Sequence, residues 1–241
     1  GNVYITNAEN KSISKYTRTG EFINQWYLTS AGTPVPPSSI TVDQNGFVYV
    51  AHSWASRIQK FNPDGEYVGD LLLNLDNAGI ELLSISGLAI APDNSLYLIC
   101  AGQSDASVRH AVWNVSLDGQ FIQSWGEFGE QSGELGHHPE NDSLGPAHIA
   151  ISAAGKVFIA DTFHSQVQVF TLSGDFITRW GEEGAAAGQF HTPLSISVDM
   201  QNRVYVGDGD WRLENIQRFS ENGEFIDYVL SSVKTPTGLA V

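Results

Sequence analysis

Cysteine is nearly absent from this 241-residue sequence. Cys100 stands alone, which excludes an internal disulfide framework and any cluster of cysteine metal ligands. Basic residues are scarce too: Lys and Arg number 12 against 27 Asp and Glu, a formal charge of -15, so DNA or RNA is repelled rather than steered in. No apolar run approaches the roughly 18 to 20 residues that cross a bilayer, and no charged segment followed by an apolar core marks a signal peptide. The chain opens on Gly1 rather than Met, which is compatible with a targeting segment removed upstream. Low cysteine and acidic charge favour an extracytoplasmic or secreted bacterial setting without fixing the compartment. Nucleophile elbow, P-loop and dinucleotide fingerprint are all missing, and Cys100, at the end of an apolar run, reads as a small buried residue rather than a nucleophile.

What is present is repetition. With 24 glycines and 11% aromatic residues, the composition suits many short strands and turns. A small/apolar alternation recurs as Ser39 to Val42, Gly87 to Ile90, His148 to Ile151, Ser195 to Val198 and Gly238 to Val241. The first four copies lead through a turn into a second strand, Val48 to Val50, Leu96 to Leu98, Val157 to Ile159 and Val204 to Val206, so each pair reads as a hairpin. A third strand then meets a fourth at a tight glycine turn. The five turn glycines, Gly20, Gly65, Gly119, Gly174 and Gly223, are spaced 45, 54, 55 and 49 residues apart, about four strands per unit, as in a propeller blade.

The expected fold is therefore an all-β propeller of five four-stranded antiparallel blades in a single domain, 1–241. The blades span 236–241 plus 1–30, 37–75, 85–125, 146–180 and 193–230. Val241 ends a first strand at the position of Val42 while Gly1 matches Gly46, so the last strand can pair with the first three and close the ring. Membership of a six-bladed propeller is the alternative. Gly188 to Pro193 (Gly-x-Phe-x-x-Pro), Arg57 to Phe61 (Arg-Ile-x-x-Phe) and the two Trp-Gly-Glu-x-Gly segments at Trp125 and Trp180 make the whole chain resemble the NHL-repeat β-propellers. Such a fold hosts binding modules, lyases and hydrolases alike.

The strand order puts tight turns on one side of the disc and long connections on the other, where binding residues concentrate. His52, His148, His164, His191, Trp54, Trp211, Asp161 and Asp208 fall on or beside that second face and form the candidate ligand-binding set. Asp161 and Asp208, each ending a second strand, are expected to bond to amides of the following loop. His148 is anomalous, because its equivalents are Ser39, Gly87, Ser195 and Gly238.

The resemblance implies a template for catalysis, since NHL-like amidating lyases hold zinc with three channel histidines, each just after the Pro that opens a first strand. Here those positions carry Ser38, Ser86, Ala147, Leu194 and Thr237, so that zinc site is not expected. The reading is a non-catalytic, monomeric recognition or scaffold propeller for a protein, peptide or glycan, with no catalytic residue and no cofactor assigned. The alternative is a divalent-metal lyase or hydrolase, amidating-lyase-like or lactonase-like, with zinc or calcium near His148.

Overall fold

Each repeat becomes one antiparallel sheet. The computed structural model describes residues 2–30, 32–52, 55–73, 81–104, 107–127, 129, 131–136, 146–209 and 215–231. Blade 1 contributes Val3–Asn7, Ser12–Tyr16 and Phe22–Tyr27; blade 2 runs Pro37–Val42, Val48–His52, Ala55–Phe61 and Tyr67–Leu71. Blade 3 runs Glu81–Ile90, Leu96–Ser104, Ser107–Val115 and Phe121–Trp125; blade 4 His148–Ile151, Val157–Asp161, Gln166–Phe170 and Phe176–Trp180; blade 5 Pro193–Val198, Val204–Asp208, Asn215–Phe219 and Phe225–Ser231. Strands pair in chain order within every sheet, and the five sheets form a five-bladed β-propeller with no helix among the described residues. The closing strand expected at 236–241 lies outside those residues.

The period-two patterning reflects burial on both faces, since each blade is sandwiched between neighbours. All five residues of Val48–His52, Val157–Asp161 and Val204–Asp208 are buried, whereas outermost strands such as Phe121–Trp125 alternate towards solvent. Four apolar clusters fill the junctions between blades 1 and 2, 2 and 3, 3 and 4, and 4 and 5. Phe158, Phe190 and Phe219 in the last of these are essentially sealed from water, each contributing on the order of 2 to 3 kcal/mol by burial.

The repeating glycines have a geometric reason. Gly20, Gly65, Gly119, Gly174 and Gly223 all adopt φ between +86 and +90 except Gly65 at +85, a left-handed conformation that costs any other residue. Three of them also receive an indole from the preceding blade: a Cβ on Gly65, Gly174 or Gly223 would overlap Trp26, Trp125 or Trp180. Trp125 and Trp180 stack further on Phe170 and Phe219, with ring centroids 4.7 and 4.4 Å apart. These tryptophans, each ending a fourth strand, therefore lock one blade onto the turn of the next.

Candidate functional site

Long connections emerge where second and fourth strands end, as the topology requires. Two of them contain more sheet than the sequence suggests. Thr29–Ser30 and Thr33–Pro34 pair as a small hairpin between blades 1 and 2. In blade 3 the second and third strands continue their ladder beyond Cys100 to Ser104↔Ser107, with Glu81 and Leu82 paired to Gln103 and Gly102. The three strands lengthen together, so their backbone polar groups are satisfied by one another rather than by water.

The aspartates bind backbone amides of the connection that leads into their own blade; most of the loop that follows Asp208 lies outside the described residues. Asp208 accepts from His191 N at 2.7 Å and Thr192 N at 3.1 Å, in the segment leading into its own blade. Asp161 accepts from Gly136 N at 3.1 Å on one oxygen, and from His164 Nδ1 at 2.8 Å and Gln168 Nε2 at 2.8 Å on the other. Both carboxylates sit beneath the entering chain, which approaches them amide-first, so the preceding connection supplies these backbone donors. Asn7, at the same position in blade 1, accepts from Asn10 N of the following loop at 2.8 Å.

Two glutamines missing from the candidate set complete these anchors. Gln168 accepts from Gly133 N and donates to the Glu134 carbonyl; Gln217 accepts from Gly188 N and donates to the Gln189 carbonyl. Each thus grips the incoming connection at a donor and an acceptor. The signal was available, because Gln59, Gln168 and Gln217 all stand six residues before a turn glycine.

His52 occupies the position of those aspartates and is completely buried. Its lead-in contains Pro36, which has no N–H to offer, so an acceptor there would gain nothing. The Pro36 carbonyl and the Gln59 side chain face the imidazole, yet neither ring nitrogen completes a hydrogen bond with a described residue. Burial pushes its pKa below the usual 6.5, only partly offset by those two groups.

His148 has a definite partner, with Nδ1 lying 3.2 Å from the carbonyl of Ile196 in the next blade. Ser39, its equivalent in blade 2, accepts from Leu88 N at 3.0 Å, and Leu88 is the counterpart of Ile196. Residues at this position therefore tie neighbouring innermost strands together. One residue earlier, Ser38 donates to the Ile85 carbonyl at 2.8 Å and Ser86 to the Pro146 carbonyl at 3.1 Å. Of the positions that would carry zinc ligands, Ser38 and Ser86 are thus spent on blade junctions and Ala147 and Leu194 have no ligating atom, so the described ones do not fit that metal. Burial lowers the His148 pKa, with the Ile196 bond opposing. His148 lines an axial cavity of about 540 Å³ walled by the innermost strands of blades 2 to 5 and by Asn2, Val3, Tyr4 and Arg18 of blade 1.

The candidate residues do not assemble into one site. Asp161 and His164 meet; Asp208 holds the backbone of His191, whose ring reaches only to 4.0 Å from the exposed Glu183; His148 bonds separately within the inner ring. Fully buried His52, Asp161 and Asp208 lie under the long-connection face rather than on it. Trp54 and Trp211 lie outside the described residues. Among the described residues, no three His, Cys, Asp or Glu side chains converge to hold a metal. Cys100 belongs to the core between blades 2 and 3, and burial drives its thiol pKa well up.

Blades joined through innermost strands, turn locks and anchored connections define a repeat-built β-propeller. No family model matches the sequence. The mouse protein named NHL repeat-containing protein 3 (Mus musculus) is 26% identical over 210 residues, 84% of this chain and 56% of its own length. Mouse peptidyl-glycine alpha-amidating monooxygenase is 36% identical over 76 residues, 29% of this chain and 8% of that protein. Among solved structures, a gluconolactonase from Xanthomonas campestris superposes with a TM-score of 0.67 at 15% identity, covering 98% of this chain and 72% of its own. Virginiamycin B lyase from Staphylococcus aureus gives 0.61 at 17% identity, covering 100% and 70%. Those two likenesses show the fold. The chain is a five-bladed β-propeller similar to NHL-repeat proteins, and it spans little more than half the length of the NHL-repeat relative it matches.

Proposed function

We propose that this propeller is a recognition or scaffold domain that binds a protein, peptide or glycan on the face carrying the long connections. One observation carries the reading: the side chains best suited to chemistry are spent on the architecture. Asp161 and Asp208 anchor connections, Ser38 and Ser86 bridge blades, and His148 ties two innermost strands through Nδ1. What remains on that face is a set of connections held at their bases, a general design for presenting a binding surface.

A metal-dependent lyase or hydrolase is the second reading, favoured by the partial match to an amidating monooxygenase. Selection of displayed peptides against the 241-residue chain separates the two. Selected peptides should bind, lose affinity on Glu183→Lys among the long connections, and be indifferent to Met200→Lys in a tight turn on the opposite side. No binder from the library, or equal loss with both variants, overturns the recognition reading. Stoichiometric zinc or calcium in the purified protein, with turnover lost in His148→Ala, would establish the second.

A further inference from the structure

The axial cavity has its exposed end on the side of the tight turns. Of the described residues that line it, Asn2, Val3 and Arg18 are exposed, and the others are half-buried or buried. Val3 pairs with Tyr16, so Asn2 and Arg18, one and two residues beyond that pair, stand at the same end of their hairpin. Arg18 lies within the tight turn closed by Gly20 N on the Thr17 carbonyl, which fixes the side of the disc. Val42, Ile90, Ile151 and Val198 line the cavity at this same end, each standing immediately before the turn that follows its strand. Two residues earlier on those strands, Ile40, Leu88, Ile149 and Ile196 line it further in. The mouth therefore carries an arginine and an amide, with two aliphatic layers behind them.

Charge sorts what can enter. The chain holds 27 acidic residues against 12 basic ones, yet no carboxylate is among the described residues lining the cavity, and Arg18 supplies the one permanent charge there. Arg57, Arg203 and Arg218 are each paired with an aspartate. Arg18 meets no carboxylate among the described residues, and neither its side chain nor that of Asn2 is used in a hydrogen bond with them. His148 opens its strand three residues, or about 10 Å, from Ile151, and burial favours its neutral ring. One cation beside aliphatic walls, with no second cation to share a dianion, suits a singly charged anion that has an apolar body.

We infer that the axial cavity is a small-molecule site entered from the tight-turn side, taking an aliphatic monocarboxylate whose carboxylate meets Arg18 and Asn2 while its alkyl chain lies along the aliphatic layers. A guanidinium matches a carboxylate with two parallel hydrogen bonds, and every methylene withdrawn from water adds to affinity. An extended chain of about eight carbons covers the distance from Ile151 to His148. The site lies across the disc from the recognition face and does not rest on that reading.

Titration calorimetry on the 241-residue chain compares octanoate, octan-1-ol and octylammonium, which share one alkyl chain and differ in the headgroup. Octanoate should bind about threefold to tenfold tighter than octanol, the range of a solvent-exposed charge-assisted pair, and octylammonium should bind most weakly. Raising the ionic strength to about 1 M should narrow the gap between octanoate and octanol. Arg18→Met should close that gap and leave octanol binding unchanged, which also shows that the variant is folded. In the unmutated protein the methyl resonances of Ile90 and Ile151 should move with added octanoate, while those of Ile177, exposed on an outermost strand, stay in place. No binding at millimolar octanoate, octanol binding as tightly, a preference that survives in Arg18→Met, or movement at Ile177 alone overturns the inference. Tighter binding of N-acetyl-leucyl-leucine than of octanoate also overturns it, by assigning the site to a peptide C-terminus.

Discussion

At the junction of blades 4 and 5 the Trp180 indole lies across Gly223, and Phe158, Phe190 and Phe219 fill the space behind it. At the corresponding place between blades 5 and 1 stand Val229, still 41% exposed, and Gly20, with no atom within 4 Å of where a Cβ would be. Val3 and Ile5 of blade 1 are 37% and 51% exposed, although their counterparts Val48 and Val50 are fully buried. Among the described residues no apolar cluster spans this last junction. Adjacent sheets therefore gain their rim contacts from one residue near the end of the outer strand, an indole at three turn glycines and Leu71 at Gly119, and among the described residues the contact at Gly20 is the weakest.

Breaking the strong junction should have the largest effect. Trp180→Ala is expected to cost about 3 to 4 kcal/mol in urea unfolding, as for large aromatic truncations, whereas Val229→Ala should stay within about 0.5 kcal/mol. Equal effects would show that the two rims are equivalent in solution. Glycine replacement sharpens the contrast. Gly223→Ala combines left-handed strain with overlap of the indole, about 3 kcal/mol together, while Gly20→Ala carries the backbone strain alone, about 1 to 2 kcal/mol.

Next comes Gln217→Ala at the entry to blade 5. It leaves Gly188 N and the Gln189 carbonyl without their partner and should cost about 1 to 3 kcal/mol, with faster amide exchange at Gly188. The smallest effects concern protons. His52 and His148 have folded pKa values below 6.5, so the unfolded chain binds protons more readily than the folded one. Their contribution is complete above pH 6.5 and is lost as pH falls through that value towards the folded pKa values. His52→Leu should flatten this acid slope and, because it removes two nitrogens that bond to no described residue, change stability at pH 8 by no more than about 1 kcal/mol. An unchanged slope would assign the acid sensitivity to other groups.

The turns were legible because their requirement is local: a left-handed residue must be glycine at little cost, and five such positions at even spacing leave one architecture. Packing of Trp26, Trp125 and Trp180 was legible for a related reason, since each ends an outer strand whose neighbour is another copy of the same unit. Hydrogen-bond direction was not. Asp208 and His52 share a position, yet one is an acceptor for two amides and the other faces a proline carbonyl. Only the lead-in brought alongside by folding shows why. His148 looked like a possible reactive group for the same reason, as its partner Ile196 is 48 residues away. The extra sheet in blade 3 escaped notice because three strands lengthen cooperatively there, and no single strand advertises it.

The paired grips on the connection before blade 4 have a consequence for evolution and for engineering. Gln168 fixes Gly133 and Glu134, and Asp161 fixes Gly136, so the chain is set down at this point before it goes on to blade 4. Sequence exchanged or inserted just after Gly136 would start from an immobilised base, and lengthening it would cost only the slowly growing entropy of a longer closed segment. Such a scaffold can change its ligand by rewriting one cassette without renegotiating the blades.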